Sequence, residues 1–166
     1  GQYFKAVGYG LTAQGLIDYE QVHALARQHR PKLIICGASA YPRVIDFKRF
    51  REIADDVGAY LLADISHIAG LVVAGVHPSP VDHAHFTTTS TYKQLYGPRG
   101  GLILMGRDHE APAPDGKKNL TQMVQRGVFP YFQGTPDLAA IASKARALDW
   151  VMKPGFKTIA QRIVDD

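Results

Sequence analysis

The chain has 166 residues, of which 46% are hydrophobic and 20% are charged, with a formal net charge of +4. This length and apolar fraction suit one ordinary domain with a buried core. The basic excess is small and scattered, so we expect no nucleic-acid partner, and no apolar run approaches the roughly eighteen residues of a membrane span. The single cysteine, Cys36, excludes an intramolecular disulfide framework and indicates a reducing compartment, which we take to be the cytoplasm.

Apolar segments of strand and helix type alternate along the chain. The sequence predicts, in order, a short strand over 3–9, a helix over 19–28, a strand over 32–37, a helix over 47–57, a strand over 59–64, one or two helical turns over 68–74, a strand pair over 85–89 and 101–105, a surface loop over 112–118 and a long helix over 138–152. Asp18 and Asp46 are suitable N-caps for the first two helices. The compact apolar run 32–37 is typical of a strand buried on both faces of a parallel sheet. The alternation therefore predicts an α/β fold with a mostly parallel sheet and flanking helices.

Ligands of such sheets bind outside the carboxyl ends of the strands, which directs attention to 37–41, 64–67 and 87–93. Asp64 ends an apolar strand, where a carboxylate needs a partner such as a protonated heterocyclic nitrogen. A helix cap or a salt bridge is the structural alternative. His67 is close enough to share the same pocket, although a lone histidine at a turn is more often structural.

Lys93 follows a run of hydroxyl residues over 87–92 and precedes the glycine-rich segment 97–101. A lysine in a largely buried, hydroxyl-rich loop can act as an amine nucleophile toward a carbonyl group, whereas a solvated surface lysine is the plain alternative. Together, Asp64 and Lys93 match the needs of a pyridoxal phosphate (PLP) site. The carboxylate would keep the pyridine nitrogen protonated, and the lysine would carry the cofactor.

Four further features occur in a characteristic order: Ser39-Ala40-Tyr41, the runs 63–72 and 88–101, and Val128-Phe129-Pro130 with Gln133-Gly134. Together they resemble the serine hydroxymethyltransferase family over essentially the whole chain. The resemblance implies the large PLP-binding domain of a fold-type I (aspartate aminotransferase-like) enzyme, assembled as a homodimer or tetramer. Because both ends of the sequence look cut, we expect residues 1–166 to be a central fragment of that domain, without its N-terminal segment and the C-terminal small domain.

The resemblance also implies roles for individual residues around the cofactor. Lys93 would form the internal aldimine with PLP, and Asp64 would pair with the pyridine nitrogen. His67 and Ser39 would contact the phenolate side of the ring.

Further roles are implied for the loops around that lysine. Ser90 and Thr91 would lie beside the aldimine, and Arg99 would shape the site behind it. Gly134, followed by Thr135, would approach the cofactor phosphate of a partner subunit. The implied reaction interconverts serine and glycine through aldimine and quinonoid intermediates, with tetrahydrofolate as the one-carbon carrier.

The sequence departs from the family pattern near these positions. Tyr92 stands where the family usually has the histidine before the lysine, and a tyrosine is not cationic near neutral pH. Thr135 and Asp137 replace a glycine and a histidine of the Gln-Gly-Gly-Pro-His pattern, and Gln94 and Tyr96 replace a threonine and a small residue. The departures leave open a PLP-dependent threonine (fluorothreonine-type) transaldolase. A catalytically silent homologue serving as a scaffold is the non-enzyme alternative.

Three histidines, His77, His83 and His85, lie close together in the sequence. No second cluster completes a tetrahedral ligand set. We therefore interpret these histidines as structural and expect no metal site.

Overall fold

A computed structural model describes residues 3–166. The elements in chain order are α1 (Tyr19–His29), β1 (Leu33–Cys36), α2 (Phe47–Val57), β2 (Tyr60–Asp64), α3 (Ala69–Val73), β3 (Phe86–Ser90), β4 (Gly101–Leu104), α4 (Leu120–Arg126), a π-helical turn (Gly127–Phe132), α5 (Leu138–Val151) and α6 (Pro154–Asp165). The predicted helices, strands and surface loop from residue 19 to 152 are confirmed to within a few residues at each end.

The sheet has the strand order β1-β2-β3-β4. β1 pairs with β2 and β2 with β3 in parallel, whereas β3 and β4 are antiparallel, with Ser90 opposite Gly101. The carboxyl ends of the three parallel strands therefore meet at one edge, and β4 begins at that same edge. The predicted α/β fold with a mostly parallel sheet is confirmed.

The core lies between one face of the sheet and the helices that cover it. α1 and α2 begin at the predicted caps, since the side chains of Asp18 and Asp46 accept hydrogen bonds from backbone N–H groups three residues ahead. Phe50 and Leu61 are fully buried in this core. Cys36 is buried with them, and its burial raises the pKa of the thiol to about 12, as expected of an inert core cysteine.

Two expectations about strands are wrong. Residues 3–9 form bends and irregular chain, because among residues 3–166 no sheet strand lies beside them to complete a ladder. β1 is buried on one face only, since Leu33 and Ile35 are 41% and 57% exposed. Helices cover the buried face of β1, and no described element covers the face that carries Leu33 and Ile35.

The structure also contains elements that the sequence did not reveal. α4 and the π-helical turn follow the surface loop, with Asn119 and Gln122 forming a capping box at the start of α4. A further helix, α6, begins at Pro154 and extends to Asp165. None of the helices within residues 3–166 is both long and apolar enough to cross a bilayer.

The loop after β1 approaches the end of β2 so closely that Gly37 cannot be replaced without movement. Gly37 has φ +131°, and a Cβ there would overlap the carbonyl oxygen of Asp64. We expect Gly37→Ala to lower the free energy of unfolding by at least about 2 kcal/mol, measured by urea denaturation. Gly116→Ala, at φ +63° with open space around it, is the control and is expected to cost only about 1 kcal/mol. Equal losses in the two variants would contradict the close approach.

Candidate functional site

Asp64 ends β2 at the sheet edge where the parallel strands finish. Its register partner on β3 is Thr88, whose hydroxyl donates to Oδ2 of Asp64 at 2.7 Å. The backbone N–H of Ser66 donates to Oδ1 at 3.0 Å, the local turn that an aspartate commonly forms with the residue two positions ahead. Both carboxylate oxygens are thereby oriented by donors from the protein.

These donors also determine the charge of the carboxyl group. Burial alone disfavours the ionised form of Asp64, but hydrogen bonds from Thr88 and Ser66, together with the positive charge of Lys93, outweigh it and lower the pKa of this carboxyl below its usual value. Asp64 is therefore a half-buried carboxylate that stays ionised near neutral pH. A carboxylate has about four lone-pair positions, so one more donor can still be accepted.

Lys93 is linked to this carboxylate through two serines. Its Nζ donates to Oγ of Ser90 at 3.0 Å, and the backbone N–H of Ser90 donates to Oγ of Ser66 at 2.9 Å. Because the backbone N–H of Ser66 in turn donates to Asp64, three hydrogen bonds link the four residues one to the next, through both the side chain and the backbone of each serine. The structure thus brings Asp64, Ser90 and Lys93 together, as the sequence predicted for strand ends.

The residues next to Lys93 make different contacts. Thr91 is almost fully buried, and its hydroxyl donates to the carbonyl oxygen of Pro98 at 2.6 Å, which ties the two ends of the loop together. Tyr92 is 42% exposed, and its ring contacts both Lys93 and Arg99. The roles assigned to Thr91, Tyr92 and Arg99 by resemblance stay predictions.

Two departures from the family pattern anchor this loop. Oε1 of Gln94 accepts a hydrogen bond from the N–H of Gly70 in α3 at 3.1 Å. Tyr96 has φ +57°, a backbone conformation that favours glycine, and its ring packs edge-on against Trp150 of α5 with centroids 5.0 Å apart. Both residues therefore attach the lysine loop to neighbouring helices.

Ser39 and His67 lie near the same edge and are exposed. His67 directly follows Ser66, and Ser39 follows two residues after Gly37, whose backbone packs on Asp64. Both side chains are accessible to a ligand, and their contacts with a cofactor ring stay predictions.

The segment predicted to reach a partner subunit is exposed. Gly134 and Thr135 lie between the π-helical turn and α5, and nothing is within 4 Å of the place where a Cβ on Gly134 would stand. Their role in binding phosphate stays a prediction. Asp137 is the N-cap of α5, because its Oδ1 accepts from the N–H of Ala140 at 3.0 Å.

Two of the three histidines accept hydrogen bonds from backbone N–H groups, which are contacts typical of structural residues. Nε2 of His77 accepts from the N–H of Ile45 at 3.3 Å, and Nδ1 of His85 accepts from the N–H of Leu61 at 2.9 Å. Within residues 3–166, no group of three or more His, Cys, Asp or Glu side chains is arranged to hold a metal ion.

Three residues that shape the site lie in the segments that the sequence singled out but received no role there: Gly37, Ser66 and Thr88. The Asp-x-Ser spacing of residues 64–66 is a signal for the turn that binds the carboxylate. Thr88 lies in a run of hydroxyl residues, and only the pairing register of β2 with β3 identifies it as the donor to Asp64.

The Thr88 hydrogen bond makes a pH-dependent contribution to stability. A carboxyl group with a lowered pKa stabilises the fold above its unfolded pKa of about 4, and this contribution is lost as the pH falls through the folded pKa. We expect Thr88→Val to lower the free energy of unfolding by about 1 kcal/mol near pH 7 and by progressively less as the pH falls below about 4, measured by urea denaturation at neutral and at acid pH. Thr121→Val removes a hydroxyl that binds the carbonyl oxygen of His109, so its loss should be similar at both pH values. A pH-independent loss for Thr88→Val would refute the assignment.

The cap at Asp137 gives a separate prediction. Asp137→Ala should lower the free energy of unfolding by about 1 kcal/mol, whereas Asp137→Asn should retain most of the stability because an asparagine side chain also caps helices. Thermal unfolding of both variants measures the difference. If both variants lost the same stability, the negative charge rather than the cap hydrogen bond would be responsible.

Comparison with known proteins gives one consistent result. Residues 1–166 match the profile of a family described as serine hydroxymethyltransferase. The chain is 52% identical over all of its 166 residues to the serine hydroxymethyltransferase of Chromohalobacter salexigens, and it spans 38% of the length of that relative. The chain belongs to the serine hydroxymethyltransferase family.

Proposed function

We propose that the full-length protein carrying this chain is a PLP-dependent transferase that interconverts serine and glycine, with tetrahydrofolate as the one-carbon carrier. The observation that carries the proposal is the hydrogen-bonded connection of the ionised Asp64 carboxylate with the Lys93 amine at one sheet edge. The name of the curated relative supports hydroxymethyl transfer rather than the transaldolase reaction.

The residues present fit PLP by their chemistry. A pyridine nitrogen that must stay protonated needs an ionised carboxylate beside it, and the lowered pKa of Asp64 supplies one. An aldehyde needs a nearby primary amine, and Lys93 offers its Nζ from a partly buried position. We infer that residues 1–166 form part of the PLP-binding large domain, in which Ser39 and His67 complete the surroundings of the ring.

PLP, when bound, supplies an electron sink that stabilises negative charge next to the amino group of the substrate. Asp64 would pair with the pyridine nitrogen and keep it protonated, because its ionised carboxylate can accept a further donor besides Thr88 and Ser66. Ser90 accepts a hydrogen bond from Nζ of Lys93 and so orients the amine. Thr91 holds the loop closed through its bond to Pro98, which keeps that orientation.

A homodimer or tetramer is part of the proposal. The π-helical turn exposes large apolar side chains, including Phe129 and Phe132, directly before Gly134 and Thr135. Exposed apolar side chains in such a group favour contact with another protein surface. We propose that the partner subunit covers this segment and that its phosphate site receives Gly134 and Thr135.

The lone buried Cys36 supports a reducing compartment such as the cytoplasm.

Covalent attachment of PLP tests the site directly. The full-length protein is incubated with PLP, reduced with borohydride and digested, and we expect the added mass on the peptide that contains Lys93. Lys93→Ala should lose the label and at least about a thousandfold in turnover. Lys144→Ala is a matched control, because Lys144 lies against the same loop at Gly100, and it should keep the label.

Turnover then identifies the reaction. We expect glycine to form from serine when tetrahydrofolate is added. Acetaldehyde released from threonine with an acceptor aldehyde, without turnover of serine, would replace the proposal with a transaldolase. PLP bound without turnover of either substrate would indicate a silent homologue.

A further inference from the structure

One aromatic ring contacts both cations of the lysine loop. Nζ of Lys93 and the guanidinium carbon of Arg99 each lie 4.7 Å from the ring centroid of Tyr92. A cation within about 6 Å of an aromatic centroid is attracted by the negative potential of the ring face. The Tyr92 ring therefore stabilises both positive groups at the place where Lys93 leaves the end of β3.

This arrangement keeps two like charges close together. Because both groups contact one ring, they lie no farther apart than twice the measured distance, and their charges repel each other. The hydrogen bonds of the Asp64 carboxylate come from Thr88 and Ser66, not from either cation. Lys93 and Arg99 share one interaction partner, the ring of Tyr92.

The ring rather than the hydroxyl makes these contacts. Within residues 3–166 the Tyr92 hydroxyl has no hydrogen-bond partner, and both interactions of the side chain are with its ring. A histidine at this position would behave differently, since a protonated imidazole repels both cations whereas a phenol ring attracts them.

We propose that Tyr92 is a positioning residue whose ring keeps the Arg99 guanidinium in the neighbourhood of the Lys93 amine, within twice the 4.7 Å that separates each cation from the ring centroid. A carbonyl compound that approaches Lys93 then meets a second, fixed positive charge, which favours anionic compounds. This inference rests on the proposed function, in which that compound is PLP.

The test follows the covalent uptake of PLP by the full-length apoprotein, measured as the rate of the absorbance change at several PLP concentrations. Tyr92→Leu should slow uptake about two- to fivefold, the range expected for a partly exposed cation–ring contact. Tyr92→Phe is the matched control and should stay within about twofold of the wild type, because it keeps the ring. Thermal unfolding verifies that each variant is folded.

A double-mutant cycle separates positioning from a general effect on the loop. Arg99→Gln should also slow uptake, and the combination of Tyr92→Leu with Arg99→Gln should slow it by less than the product of the single effects. Tyr92→His adds a pH readout, since its rate relative to the wild type should fall from about pH 8 to about pH 6 as the imidazole becomes charged.

Several results would overturn the inference. One is uptake of PLP by Tyr92→Leu at the wild-type rate. A second is a Tyr92→Phe variant that takes up PLP as slowly as Tyr92→Leu. A third is a double variant whose slowing equals the product of the two single effects. Failure of the wild-type protein to take up PLP would instead refute the proposed function, and with it this inference, before any variant is compared.

Discussion

The hydrogen bond between the Thr88 hydroxyl and the Asp64 carboxylate joins the ends of two parallel strands. It exists because β2 and β3 pair in a register that sets these two residues side by side. Ser66, two residues after Asp64, accepts a hydrogen bond on its hydroxyl from the backbone N–H of Ser90. The position of Asp64 therefore determines where the chain leaves β3. The location of the Lys93 amine thus depends on the same strand pairing that builds the core.

The departures from the family pattern are integrated into the packing of this chain. Gln94 binds the backbone of α3, Tyr96 packs against Trp150, and Asp137 caps α5. Each of these three residues has a partner within the fold, so these differences are built into the packing around the lysine loop and α5.

The sequence was sufficient for the order of the elements from α1 to β4 and for placing Asp64 and Lys93 at one edge of the sheet. Asp64 ends a compact apolar run and Lys93 comes shortly after the next parallel strand, and parallel topology places such strand ends at one edge. The predicted strand over 3–9 does not form, because a run of apolar and aromatic residues becomes a strand only where a neighbouring strand can pair with it. Thr88 could not be distinguished from the other hydroxyl residues of its run, because the facing residue on β2 is determined by register and not by local sequence.

The loop that carries Lys93 is closed at two levels. Ser90 pairs with Gly101 at the base, and inside it the N–H of Gly97 donates to the carbonyl oxygen of Thr91 at 2.8 Å. A segment closed in this way has little conformational freedom left to lose when a ligand arrives. The ordering entropy of the lysine loop is removed during folding, so the Lys93 amine already has its position in the free protein.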